Sequence, residues 1–198
     1  MRRNKTKSAL SLACHGARIF RFDTAWGQSS LIYRPEPFVV YCLTLPGAEP
    51  DMLPATGDEK DGHHPKAMRI KTVLTDFFNG RRPETIPDAW LSWTQLTPKE
   101  QAVLDVVRHI PYGQTRAYGE VAEKAGFPRG ARFAGNALNK NPFPVIIPCH
   151  RVIHADGSIG GFGSGCEMKR KMIAMEATTL LKGSRIQGAK GSRGILAP

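Results

Sequence analysis

The run Ile147-Pro-Cys-His-Arg-Val152 sets a thiol, an imidazole and a guanidinium side by side directly after a proline. A thiol attacks only as thiolate, and it does so at neutral pH when a base or a positive field is close. Adjacent residues on an extended strand point to opposite faces, so a turn after Pro148 is needed to bring the Cys149 sulfur and the His150 imidazole within reach, directly or through one water. An acid that orients His150 would complete a relay. Glu176 on the last predicted helix suits that place better than Glu167, which stands too close to a glycine loop. The plainer alternative for Cys149 is a buried small hydrophobe, the usual fate of a free cysteine.

The elements around this string have to position it. Thr97 as N-cap, Pro98 at the first helical position and Glu100 three residues after the cap start a helix to about His109, with Val103, Leu104, Val106, Val107 and Ile110 on one face. Tyr118–Ala125 and Gly130 to about Lys140 are two further helices joined by Gly126-Phe-Pro-Arg129, a helix-turn-helix arrangement. The apolar run Val145–Ile147 leads as a strand to the cysteine, the glycine loop 156–165 follows, and an amphipathic helix is expected over about Glu167–Leu181. In the first half, Arg18–Phe22 and Pro37–Leu43 are predicted strands, 46–66 is a predicted loop rich in Pro and Gly, and Lys66–Phe78 a helix with Met68, Val73, Leu74 and Phe77 at helical spacing.

Composition narrows the function classes. The chain of 198 residues has a net charge of +11, unevenly spread: residues 1–96 carry 13 Lys and Arg against 10 Asp and Glu, whereas residues 97–198 carry 15 against 7. The second half is the one suited to a polyanion. No stretch has the roughly 20 apolar residues of a membrane helix, and the basic start lacks an apolar signal core, so an intracellular protein away from membranes is expected. Cysteines at 14, 42, 149 and 166 are too few for a disulfide framework, and reduced thiols are expected. Cys14-His15, Cys42 and His63-His64 lack the spacing of a structural zinc module, and Gly157–Gly165 lacks that of a phosphate loop, so neither metal nor nucleotide is expected. No glycine-rich motif for S-adenosylmethionine is evident, and no cofactor is expected.

Ile147-Pro148-Cys149-His150-Arg151-Val152 resembles the active-site motif of the O6-alkylguanine-DNA alkyltransferases, also called methylated-DNA-protein-cysteine methyltransferases. The similarity extends over about Pro98–Glu176, including Gly113-x-x-x-x-Tyr118-Gly119, Asn139-x-Asn141-Pro142 and the glycine loop, while residues 1–66 match loosely. The resemblance implies an α/β N-terminal domain over 1–82, a linker at 83–96, a mostly α C-terminal domain over 97–181 with a winged-helix-like helix-turn-helix and a Pro-Cys-His-Arg active-site strand or turn, and a basic flexible tail over 182–198.

The same resemblance implies roles. Cys149 takes the alkyl group, His150 receives its proton, Glu176 holds His150, Asn141 braces the turn, and Arg151 is structural. Tyr118 donates to the flipped base, Val152 reads it through its carbonyl, and Phe162, Gly163 and Lys169 border it. Arg132 enters the duplex in place of the extruded nucleotide, with Gly119, Ala131 and Lys140 at the DNA, and with Ala131, Ala134 and Gly135 small enough for close approach. The partner implied is double-stranded DNA carrying O6-alkylguanine, with O4-alkylthymine as a second lesion, met by a monomer in the cytoplasm of a prokaryote or the nucleus of a eukaryote. Phe162 and Gly163 replace a tyrosine and a serine common in the family, which points to a roomier, more apolar pocket, and Ala117 replaces a Ser or Thr helix cap. The rival readings are a lesion-binding protein of the same fold that transfers nothing, a Cys-His hydrolase, and a helix-turn-helix regulator.

Overall fold

The structure is a computed structural model that describes residues 16–48 and 64–188, with side chains to residue 181. Cys14, His15, His63, most of the predicted loop 46–66 and the last ten residues lie outside the described residues.

Strands β1 (Arg18–Thr24), β2 (Gly27–Arg34) and β3 (Val39–Thr44) form an antiparallel sheet in sequence order. The sequence pattern located β1 and β3 but not β2. All residues from Ser29 to Tyr33 are buried, so polarity does not alternate there. Ser30 is accommodated by Thr44, its N–H donating to Thr44 Oγ1 at 3.0 Å and the two hydroxyls meeting at 2.6 Å. β3 starts two residues beyond the predicted Pro37, whose nitrogen cannot donate to a ladder.

Helix α1 (Pro65–Phe78) follows, N-capped by His64, whose Nδ1 accepts from Lys66 N. It turns Ala67, Ile70, Val73, Leu74, Phe77 and Phe78 inward, whereas Met68, expected on that face, is 41% exposed. Residues 83–96 contain one short 3-10 turn at Asp88–Trp90 and are pinned along their length: Ile86, Leu91 and Leu96 are buried, and Ser92 N donates to Val40 O at 2.8 Å.

The second half opens with α2 (Pro98–Arg108), whose Thr97–Glu100 capping box forms as the sequence predicts. Helices α3 (Tyr118–Lys124) and α4 (Ala131–Leu138) pack as a helix-turn-helix, their turn pinned by the edge contact of Phe127 with Phe133. Ala117 offers no side chain to cap α3, and Glu120 supplies half a cap by accepting from Ala117 N at 2.7 Å. β4 (Arg116–Ala117) and β5 (Val152–Ile153) pair in parallel.

Two expectations are corrected here. Cys149 does not end a strand: Cys149–Arg151 is a 3-10 turn, because two prolines, Pro144 and Pro148, prevent a continuous ladder before it. The last helix, α5, spans Cys166–Gly188 rather than ending at Leu181, so the segment from 182 begins as helix. Once nucleated, a helix gains a hydrogen bond per added residue, and the roughly 1 kcal/mol cost of Gly183 is not enough to stop it. One apolar core joins Phe20 and Leu31 of the sheet to Leu104, Phe143, Cys149 and Val152 of the second half, so the reactive turn is part of a core both halves share.

Candidate active site

The turn that carries Cys149 is held by backbone and by one amide. Pro148 has φ −80° and ψ 64°, an inverse γ-turn, closed by Cys149 N donating to Ile147 O at 2.8 Å. Asn141 braces it from outside: its Nδ2 donates to the same Ile147 carbonyl at 2.8 Å, and its Oδ1 accepts from Phe143 N at 3.0 Å. Next to Asn141, the Pro142 carbonyl accepts from Leu43 N at 2.8 Å, which ties the turn to β3. Val145, at φ +73°, is a buried β-branched residue in the left-handed region, a conformation costing on the order of 1–2 kcal/mol and maintained by the packing around it.

His150 is wholly buried. Its Nε2 lies 2.8 Å from Glu176 Oε1, and its Nδ1 has no hydrogen-bond partner among the described residues. Burial pushes the imidazole below its usual range, and the Arg151 and Lys169 charges push the same way against the opposing Glu176 carboxylate. The ring therefore rests neutral; with its proton on Nε2 toward Glu176, Nδ1 presents a lone pair. Glu176 is buried, which alone would raise its pKa, but hydrogen bonds from His150 and Arg151 outweigh burial and keep it ionised. Arg151 reaches both Glu176 oxygens and gives Nη1 to Ile110 O at 2.6 Å, while Gly113 N donates to Glu176 Oε2 at 2.8 Å. The implied structural role of Arg151 thus has a definite form, as the counter-charge to Glu176.

Cys149 is 7% exposed and lines a cavity of about 1170 Å3. Burial raises its thiol above the ordinary value, with the Asn141 side chain and the Lys169 charge acting in the opposite direction. The net direction favours the protonated thiol at rest. Tyr118 lines the same cavity, its hydroxyl accepting from Lys169 Nζ at 3.2 Å. Because Lys169 donates into that oxygen, the phenolic hydrogen is free for another acceptor. Lys169 is 1% exposed, and burial lowers its ammonium below the usual lysine range, so it is not a solvated helix charge.

Phe162, Gly163, Arg132, Ala131, Lys140 and Asn141 also line the cavity. Ala131 and Arg132 are exposed on α4, and Gly119 is exposed on α3 without lining the cavity. Ala134 is wholly buried against the core, so of the three small residues expected outward it serves packing instead. Lys140 is paired with Glu100, and Val152 is buried in β5 opposite Arg116 rather than at the cavity wall. Sequence reasoning missed His154, which lines the cavity with its ring against Tyr118; only its position two residues after the motif could have signalled it. No cluster of His, Cys, Asp or Glu among the described residues could hold a metal, and no helix among them is long and apolar enough to cross a membrane.

Residues 98–178 match the model of the 6-O-methylguanine DNA methyltransferase DNA-binding domain. A crystal structure of the Mycobacterium tuberculosis OGT in complex with DNA superposes with a TM-score of 0.67 at 30% identity, covering 82% of this chain and 94% of that one. A methylated-DNA-protein-cysteine methyltransferase of Methanosarcina acetivorans is 31% identical over 130 residues, 52% of this chain and 83% of the relative. The chain belongs to the O6-methylguanine-DNA methyltransferase family. A further relative, from Thermus thermophilus, is named a DNA base-flipping protein and is 39% identical over 65% of this chain and 83% of its own length. In several other methyltransferases of the family the aligned part spans about half of the relative's length. A fold of the O6-methylguanine methyltransferase type, a mixed set of sheet and helices, is therefore common to this chain and the tuberculosis structure.

Proposed function

We propose that this chain repairs DNA by everting O6-alkylguanine from the duplex and moving the alkyl group irreversibly onto Cys149. The observation that carries the reading is one cavity that exposes the Cys149 thiol beside a hydroxyl with a free hydrogen, Tyr118, while a buried neutral imidazole stands next in sequence with an unoccupied Nδ1. A thiol alone transfers nothing; a thiol with a base behind it and a proton donor for the leaving group can displace an alkyl group from an aromatic oxygen.

The steps balance without a cofactor. The Cys149 proton passes to His150 Nδ1, directly or through one water, as sulfur bonds to the alkyl carbon. The carbon–O6 bond breaks with its electron pair going to the purine. Tyr118 gives its proton to the departing base, and Lys169 returns one to the phenolate. Donors aimed at the leaving anion count for more in a water-poor site than in bulk solvent. The product thioether has no acidic proton and no leaving group, so each molecule reacts once.

Arg132, exposed on α4 at the edge of the cavity, is the side chain that would fill the gap left in the stack. The site of action would follow the DNA, the nucleoid or the nucleus. A second reading, lesion binding without transfer, draws support from the relative named a base-flipping protein. Incubating the chain with a duplex carrying one O6-methylguanine and weighing the intact protein separates the two. One added methyl per molecule, mapped to Cys149 and absent in Cys149→Ala, is the expected result; tight binding with unchanged mass establishes the second reading.

A further inference from the structure

His154 plays no part in the relay or in the frame that holds Cys149. It lies one residue beyond β5, and its position is fixed by a tight turn: its N–H donates to Ser158 O at 3.0 Å, and Asp156 Oδ1 accepts from Ser158 N at 2.9 Å and from Ser158 Oγ at 2.6 Å. The imidazole is exposed, its ring centroid lies 5.2 Å from that of Tyr118, and both rings line the cavity that ends at Cys149.

An everted nucleotide remains bonded to its two phosphodiesters. A base whose O6 substituent reaches Cys149 must therefore carry phosphate to the mouth of the cavity, where the rotated backbone needs a donor. Three cavity-lining side chains carry or can carry positive charge: Arg132, Lys140 and His154. On the reading above Arg132 is committed to the stack. Lys140 is paired with Glu100. His154 remains, an exposed ring beside Tyr118 that neighbours Asp156 electrostatically while the Asp156 Oδ1 accepts its hydrogen bonds from Ser158.

We propose that His154 is a substrate-binding residue whose imidazole donates a hydrogen bond to the phosphodiester of the everted nucleotide. The proposal rests on the alkyltransferase reading, and it separates from the alternative in which the ring only packs against Tyr118.

The test uses the full chain with His154→Ala, His154→Phe and His154→Gln, each measured for capture rate on a duplex carrying one O6-methylguanine and on the free base O6-benzylguanine, which has no phosphate. The dissociation constant of the lesion duplex is measured in a Cys149→Ala background. Loss of a hydrogen bond to a charged group corresponds to roughly tenfold or more. The Ala and Phe variants are expected to lose about tenfold more on duplex than on free base, in rate and in affinity, with the amide donor of His154→Gln recovering most of it. A neutral methylphosphonate flanking the lesion should cost the wild type a similar factor and His154→Ala almost nothing. Wild-type behaviour of His154→Phe on duplex, or parallel losses on both substrates, overturns the proposal in favour of ring packing. Failure of the wild type to take alkyl from either substrate overturns the transfer reading instead, and the affinity measurements still decide the phosphate contact.

Discussion

His150 donates through Nε2 to Glu176 Oε1 at 2.8 Å and keeps Nδ1 unpartnered among the described residues, with neither ring nor carboxylate meaningfully open to solvent. An imidazole arranged this way can accept one proton and hold it against a nearby carboxylate, which is what a thiol-driven displacement asks of it.

The pH dependence follows from the resting states. Burial lowers the His150 pKa and raises that of Cys149, so between about 6.5 and 8.5, the ordinary values for imidazole and thiol, both groups keep one protonation state. The second-order capture rate should stay flat across that window and fall only below it, as His150 becomes protonated. A rate that climbs tenfold per pH unit from 6.5 to 8.5 would instead indicate a preformed thiolate.

Glu176→Gln removes the charge that faces Arg151 and leaves a buried guanidinium without its counter-ion. A broken buried pair costs about 3–5 kcal/mol, so urea denaturation should show a drop of that size, accompanied by a capture rate at least tenfold lower. Unaltered stability would mean that Arg151 finds another acceptor in the fold.

Gly160 leaves room for Tyr118. A Cβ there would lie 2.8 Å from Tyr118 Cε2 and 2.9 Å from Cζ, so Gly160→Ala must displace the phenol. The expected result is a large loss of capture rate, on the order of tenfold or more as for other misplaced donors, with the melting temperature measured alongside because Gly160 is itself buried. A fully active Gly160→Ala protein would show that Tyr118 does not supply the leaving-group proton.

Asn141→Ala strips the outer brace from the reactive turn and leaves Phe143 N without its acceptor. These bonds are part-buried, and a typical intramolecular hydrogen bond contributes about 0.5–1.5 kcal/mol, so a turn freed in this way should lower stability by roughly 1–3 kcal/mol in all while slowing transfer. Asn141→Asp keeps the acceptor and loses the donor, so it should recover the Phe143 bond alone and fall between the two.

Arg132→Ala should slow reaction with duplex lesions far more than reaction with free O6-benzylguanine, since only the duplex must be opened. Extrusion costs a few kcal/mol, which sets the scale of the loss. Equal losses on both substrates would place Arg132 at the chemistry instead.

Much of the site was legible because its chemistry is local. Cys149 and His150 are neighbours, and Glu176 was reached by setting aside Glu167, which stands too close to the glycine loop. The rest of the frame was not legible: Gly113 N donates to Glu176 from 63 residues away and the Ile110 carbonyl accepts from Arg151 from 41 residues away, a fact of tertiary packing that no spacing rule conveys. The burial of Lys169 was not legible for a related reason, since amphipathic periodicity treats a lysine as a surface residue, whereas here it is buried with its Nζ donating to Tyr118. The strand ladder up to Cys149 failed against Pro144 and Pro148, and β2 escaped notice because a central strand buried on both faces does not alternate.

The four hydrogen-bonding groups that converge on Glu176, from residues 113, 150 and 151, have an implication for protein engineering. The hexapeptide Ile147–Val152 is not a portable cassette. Grafted into another scaffold without a carboxylate from a distant helix and a carbonyl such as that of Ile110, it would bring a lone buried guanidinium and a free-swinging ring, and the host would acquire an inert cysteine.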